Sequence, residues 1–179
     1  MAVRRLNHAV LYVRDLAEAV GFYTEALGFE VRSQMGDRAA FLRAPGSAND
    51  HDLGLFALDG AAPIPRDAAA RVGLYHLAWE VGTLAELEEV RRRLDGRGAL
   101  VGESDHRVSK SLYAKDPSGI EFEVMWRVPA EDWAAERRTG PPIGPLDLEA
   151  ARERWGDRAT GAAAGSVLPG PPATSTVPL

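Results

Sequence analysis

Leu6-Asn7-His8-Ala9-Val10-Leu11-Tyr12-Val13, and its echo Leu74-Tyr75-His76-Leu77-Ala78-Trp79-Glu80-Val81, decide the fold. A shift of 68 positions lays the second stretch on the first and carries the match onward. Leu6, His8, Val13, Leu16, Ala17 and Glu18 recur as Leu74, His76, Val81, Leu84, Ala85 and Glu86. Each copy reads as a strand of period 2, Leu6–Val13 or Leu74–Val81, followed by a helix-start signal. Asp15-x-x-Glu18 resembles a capping box, and Thr83-x-x-Glu86 has its Ser/Thr-x-x-Glu form. The helices that follow are predicted over about Leu16–Leu27 and Leu84–Leu94, ending near Gly28 and Gly96. Shorter strands come next: Val31–Met35, Arg38–Arg43 and Asp52–Leu58 in the first copy, Leu100–Glu103, Ser109–Lys115 and Ile120–Trp126 in the second. Each copy is thus βαβββ. Neither can cover both faces of its own sheet, so the expectation is an α+β fold of two paired modules forming a cupped mixed sheet.

Composition narrows the function. The chain has 179 residues, 21 basic against 26 acidic side chains, a net charge of −5 and no cysteine. At roughly 100–200 residues per domain this is one domain or two halves sharing a core. Without cysteine, disulfides, thiolate zinc sites, iron–sulfur clusters and a thiol nucleophile are excluded. A net negative charge argues against nucleic acid as a partner. No apolar run is long enough for a membrane span, and Met1–His8 shows no signal-peptide pattern, so a cytoplasmic protein is expected. The module pair is expected over residues 1–127, with modules at about 5–60 and 73–126. An extension with a short helix near Leu146–Trp155 is expected over 128–159, and a flexible Ala/Gly/Pro/Ser/Thr-rich tail over 160–179.

Strand alternation sorts the polar residues. Ala9, Leu11 and Val13 share one face, and His8, Val10 and Tyr12 the other. In the repeat His76, Ala78 and Glu80 oppose Tyr75, Leu77, Trp79 and Val81. In the last strand Glu121, Glu123 and Met125 oppose Ile120, Phe122, Val124 and Trp126. The turn Asp116-Pro117-Ser118-Gly119 sets a register that places Tyr113 opposite Glu123; a slip of one residue would send Tyr113 to the helix side. His8, His76 and Glu123 are the natural metal-ligand set. Two neutral imidazoles and one carboxylate leave half of a 2+ charge and several positions open, as in non-haem Fe(II) oxygenases. Glu121 is the fallback ligand if the register differs. His106 and Tyr113 form a second pair, either a loop histidine with an ordinary strand tyrosine or acid–base groups beside the metal. His51 reads as structural or peripheral, and Arg91-Arg92-Arg93 as a solvated helix face. Phe41, Leu55, Phe56, Trp79 and Met125 are expected to wall the pocket.

These residues resemble the vicinal oxygen chelate superfamily, which includes glyoxalases, bleomycin-resistance proteins and extradiol dioxygenases. The resemblance is carried by Leu6-Asn7-His8-Ala9-Val10, Gly21-Phe22-Tyr23, Leu27-Gly28-Phe29, Tyr75-His76-Leu77-Ala78 and Asp116-Pro117-Ser118-Gly119 leading to Glu123. Asp105-His106-Arg107-Val108-Ser109 running on to Tyr113 and Glu123 is similar to the second-module signature of catechol 2,3-dioxygenase-like type I extradiol enzymes. It departs from that signature at Arg107, where Gly is common, at Ser118, where Asp is common, and at Ile120, where Asn is common. The resemblance implies a metal-dependent oxidoreductase in which His8, His76 and Glu123 bind Fe(II), or Mn(II). It also implies that His106 and Tyr113 are catalytic, and that a small aromatic substrate and O2 are the reactants. Modules of this type often pair between chains, so a homo-oligomer is expected. Two alternatives share the scaffold: a glyoxalase-like lyase or isomerase and a metal-free, antibiotic-sequestering protein. The first typically wants a fourth ligand from the first module, where the position equivalent to Glu123 is Leu55 with Asp52 nearby.

Overall fold

A computed structural model describes residues 2–3, 5–65 and 72–159; the tail expected over 160–179 lies outside them. The first module runs β1 (Ala9–Val13), α1 (Leu16–Leu27), β2 (Glu30–Met35), β3 (Ala39–Arg43) and β4 (Leu53–Ala57). The second runs β5 (Leu77–Glu80), α2 (Leu84–Asp95), β6 (Leu100–Asp105), β7 (Ser109–Lys115) and β8 (Glu121–Arg127). Both sheets have the same topology, β1-β4-β3-β2 and β5-β8-β7-β6, with β1 parallel to β4 and β5 parallel to β8. The α+β reading and the duplicated βαβββ order are therefore observed. After β8 come a 3-10 turn (Ala130–Asp132), α3 (Trp133–Glu136) and α4 (Leu148–Trp155). Among the described residues no helix is long and apolar enough to cross a membrane.

The helices form where their caps dictate. Thr83 makes the full reciprocal box with Glu86. At α1 only half a box forms: Asp15 accepts from the Glu18 amide, while the Glu18 carboxylate turns to Arg14 at 2.9 Å. Gly28 takes the left-handed cap, with φ 77°. Gly96 stays right-handed, and the turn out of α2 falls two residues later at Gly98, φ 62°. The leading strands are shorter than expected, since pairing begins only at Ala9 with Leu53 and at Leu77 with Phe122. His8 and His76 therefore sit at the strand entrances. The basic run on α2 is solvated and paired, Arg91 with Glu103 and Arg92 and Arg93 with Glu89.

One core joins both modules. Leu11, Val13, Leu42, Leu53 and Leu55 of the first sheet and Leu112, Phe122, Val124 and Trp126 of the second are buried together with Phe22 and Tyr23 of α1 and Leu87 and Leu94 of α2. Phe22 meets Phe122 edge-on, ring centres 5.9 Å apart. Both helices thus bury their apolar stripes between the sheets, where burying each large side chain contributes about 1.5–3 kcal/mol. The expected pair of mixed-sheet modules is present, as two four-stranded sheets that do not close on each other. The sheets are not bonded to each other, because the helix layer occupies the space between them, and their polar faces look outward. Leu55 and Trp79, expected in the pocket wall, instead face this layer; Trp79 packs on Phe29 with ring centres 5.1 Å apart.

The turn at Asp116 ties the modules. Its Oδ1 accepts from the Ser118 and Ile120 amides, and its Oδ2 accepts from the buried Tyr23 hydroxyl at 3.1 Å. The Ser118 hydroxyl accepts from the Arg14 amide at 3.0 Å. Burial pushes the Asp116 carboxyl up, and burial followed by the neighbouring Asp116 pushes the Tyr23 phenol well above its ordinary range. Tyr23→Phe leaves a buried carboxylate oxygen without its donor, so it should lower unfolding free energy by about 1–3 kcal/mol in urea titrations. Unchanged stability would show that this bond does not tie the modules.

Candidate metal centre

The outward face of the second sheet carries the chemistry. Parallel pairing of Ala78 with Glu123 and antiparallel pairing of Tyr113 with Glu123 put His76, Tyr113 and Glu123 on one face. The His76 Nε2 lies 3.2 Å from a Glu123 carboxylate oxygen; their side chains are 24% and 13% exposed. The His76 and Tyr113 rings meet edge-on, 5.7 Å between centres. The Tyr113 hydroxyl shares a 2.7 Å hydrogen bond with His106 Nε2. His106 leaves the end of β6 in the tight turn before β7, so both members of the second pair converge on the carboxylate. Together these groups line a cleft of about 510 Å³ with Ala78, Glu80, Ser109 and Met125. A larger hollow of about 680 Å³ lies between α1 and the Asp116 turn, and it has no imidazole among its lining residues.

Burial first, then the Glu123 charge, raise the Tyr113 phenol above its ordinary value. It therefore keeps its proton at neutral pH and remains a hydrogen-bond donor. Glu121 shares the outward face but pairs across the hairpin with Lys115 at 4.0 Å. Glu80 sits at the rim in a forked bond from Arg127, at 3.0 and 3.1 Å. Strand alternation already put Glu80 on the His76 face, but nothing in the sequence flagged Ser109, because its place in the cleft depends on the pairing of β7 with β8.

His8 lies apart, on the outward side of the first sheet. Its Nδ1 faces the Asn7 carboxamide at 2.9 Å and its ring lies 4.8 Å from that of His51. Among the described residues, no three His, Cys, Asp or Glu side chains converge closely enough to hold a metal. The segment leading to His8 is pinned from below. Asn49 donates to the Asn7 carbonyl at 2.8 Å and to Asp52 at 2.6 Å, and Arg5 donates to Asn49 at 2.6 Å. Asp52 also accepts from the Ala44 amide and the Ser47 hydroxyl. It is thus consumed as a loop anchor. Phe41 and Phe56, with ring centres 5.9 Å apart, share the outward face with His51, Val10 and Tyr12. Val10 and Tyr12 are 54% and 69% exposed.

The residues present fit a divalent ion. Two ligands bound at about 2.1 Å and at right angles lie roughly 3 Å apart, the spacing of His76 Nε2 and Glu123. The other ring nitrogen, Nδ1, is buried with no hydrogen-bond partner among the described residues. The turn holding His106 is strained. Arg107 has φ 68°, the only described non-glycine residue with positive φ, a conformation costing of order 1–3 kcal/mol. The departure from glycine noted at this position is therefore a departure where glycine would fit freely.

The comparisons with known proteins agree with this architecture. Residues 5–124 match the Glyoxalase/Bleomycin resistance protein/Dioxygenase superfamily, and the chain belongs to it. A catechol-2,3-dioxygenase of Bacillus subtilis (strain 168) is 29% identical over 154 residues, covering 85% of this chain and 52% of that protein. A biphenyl-2,3-diol 1,2-dioxygenase of Paraburkholderia xenovorans (strain LB400) is 30% identical over 153 residues, covering 77% of this chain and 47% of that one. The chain spans about half the length of these relatives. A solved glyoxylase/bleomycin resistance protein/dioxygenase domain from Frankia sp. EAN1pec superposes with a TM-score of 0.58 at 26% identity, over 71% of this chain and all of that one.

Difference spectrophotometric titration of wild type against Tyr113→Phe should isolate one phenol that ionises above pH 10.0, its ordinary value. A phenol titrating at or below that value would contradict the environment described.

Proposed function

We propose that the protein is an extradiol ring-cleaving dioxygenase that inserts both atoms of O2 into a catechol-type aromatic at a non-haem Fe(II) centre, with Mn(II) as the alternative ion. The observation that carries this reading is the His106–Tyr113 hydrogen bond set directly beside the His76–Glu123 pair. The names borne by the relatives support it. The place where a fourth ligand, a carboxylate from the first module, would stand supports it too: Leu55 is buried in the core and Asp52 is spent on its loop. Both facts weigh against a glyoxalase-like four-ligand centre.

His76 and Glu123 would supply two protein ligands, and His8 the third, donated by a second copy of the chain. The outward face of the first sheet, with His8, Phe41, Phe56, Val10 and Tyr12, would then close over the cleft of its partner. In a two-fold dimer each chain gives one histidine and receives one, and two equivalent centres form. Fe(II) held by these residues would supply the redox chemistry that couples catechol and O2. The chain's own residues do the rest. Tyr113, held protonated, donates to a substrate oxygen as charge develops there. His106 takes up a hydroxyl proton through the hydrogen-bonded pair and returns it later. Met125 and the facing phenylalanines exclude water and stack the aromatic ring.

After anaerobic Fe(II) loading, one O2 should be consumed per catechol, with a yellow ring-opened product. Metal binding without O2 uptake across a catechol panel would refute the activity. The shared centre has its own readout. His8→Ala and Glu123→Gln should each abolish activity and metal loading while remaining folded. Randomly mixed, these two variants should regain about a quarter of wild-type activity, because half the dimers then hold one intact centre. No recovery on mixing, with subunit exchange verified, would place all three ligands on one chain.

A further inference from the structure

The turn at Arg107, the one described non-glycine residue with positive φ, is also fastened from behind by the C-terminal extension. The Arg107 backbone, left-handed at φ 68°, is held by a 2.6 Å bond from its amide to Asp105 Oδ1. Its Nε donates to the Pro141 carbonyl at 2.7 Å, thirty-four residues away. Gly144 pairs with Asp105 as an antiparallel bridge, both bonds 2.9 Å. The guanidinium lies in a slot cut for it. A Cβ on Gly144 would come within 2.8 Å of its Nη2, and one on Gly140 within 3.2 Å. Below it, the buried Lys110 bonds Asp105 at 2.7 Å and lies 5.1 Å from the ring centre of Trp155 in α4. On the opposite side of the same turn His106 reaches Tyr113. Its amide donates to the Ser109 carbonyl and its carbonyl accepts from the Val108 amide, so the ring direction follows from the backbone of Arg107.

We propose that Arg107 is a positioning residue: seated in the slot formed by Gly140, Pro141 and Gly144, it transmits the placement of the C-terminal extension to the His106 ring and fixes that ring on Tyr113. A non-glycine residue at positive φ persists only where its surroundings over-determine it, and here they do so immediately beside the candidate acid–base pair. The extension is thereby a working part of the site although none of its described side chains lines the cleft. The proposal rests on the role given above to His106, but its geometry can be read without metal or substrate.

The test is the cross-peak between the His106 and Tyr113 ring protons in NMR spectra of the full-length, metal-free protein, assigned by its absence in His106→Gln. Arg107→Gly removes the clasp while relieving the backbone, so folding is preserved. Gly144→Ala fills the slot and displaces the guanidinium while leaving the turn's own residues unchanged. Loss of the cross-peak is expected in Arg107→Gly, and weakening in Gly144→Ala, with melting temperatures close to wild type. A cross-peak of wild-type intensity in either folded variant overturns the proposal. Failure of oxygen uptake in the wild type would leave this readout untouched, so the two readings fail separately.

Discussion

The structure depends on one shared layer. Each βαβββ module has a sheet with one apolar face and a helix with one apolar stripe, and neither can bury both alone. Placing α1 and α2 side by side between the sheets satisfies all four surfaces with a single core, in which Phe22, Tyr23 and Phe122 interlock across the module boundary. The same arrangement dictates where chemistry can occur. With their apolar faces turned inward, both sheets present their imidazoles and carboxylates outward, and His8 lies on a different surface from His76 and Glu123.

Much of this was legible because it rests on local rules. The repeat of Leu6–Glu18 at Leu74–Glu86 announces the duplication, and caps at Asp15, Thr83 and Gly28 set the helix limits. The three-residue turn after Asp116 fixed the register of Tyr113 on Glu123, and the structure has that pairing. What could not be read is which element fills the space between two sheets. Period 2 tells which residues share a face, not what that face meets. Leu55 and Trp79 were therefore expected in a pocket and lie against helices, while Phe41 and Phe56 remain on the open face. The strand entrances were also read too long, because pairing with β4 and β8 decides where a ladder starts. Asp52 looked available as a ligand only because its three loop partners, Ala44, Ser47 and Asn49, are distant from any strand pattern.

The cleft itself combines rigid and strained parts. His76 and Glu123 stand on paired strands, whose geometry the sheet fixes. His106 stands on a turn that local preference alone would not choose, and tertiary contacts from residues 140–144 hold it there. On the roles proposed for these residues, that division keeps the spacing of His76 and Glu123 fixed while the direction of His106 is set separately. The extension beyond β8 makes two sets of contacts: α4 packs Trp155 on Trp126, and the segment before it bonds the turn that holds His106.

The claim on which the functional account stands is that one divalent ion is held by His76 and Glu123 of one chain and His8 of another. Anomalous scattering from crystals loaded anaerobically with Fe(II) measures this directly. The predicted result is a single peak per cleft, about 2.0–2.3 Å from His76 Nε2, a Glu123 carboxylate oxygen and a His8 nitrogen of the second copy. A peak elsewhere, or one at His76 and Glu123 with no imidazole of a neighbouring chain beside it, would contradict it.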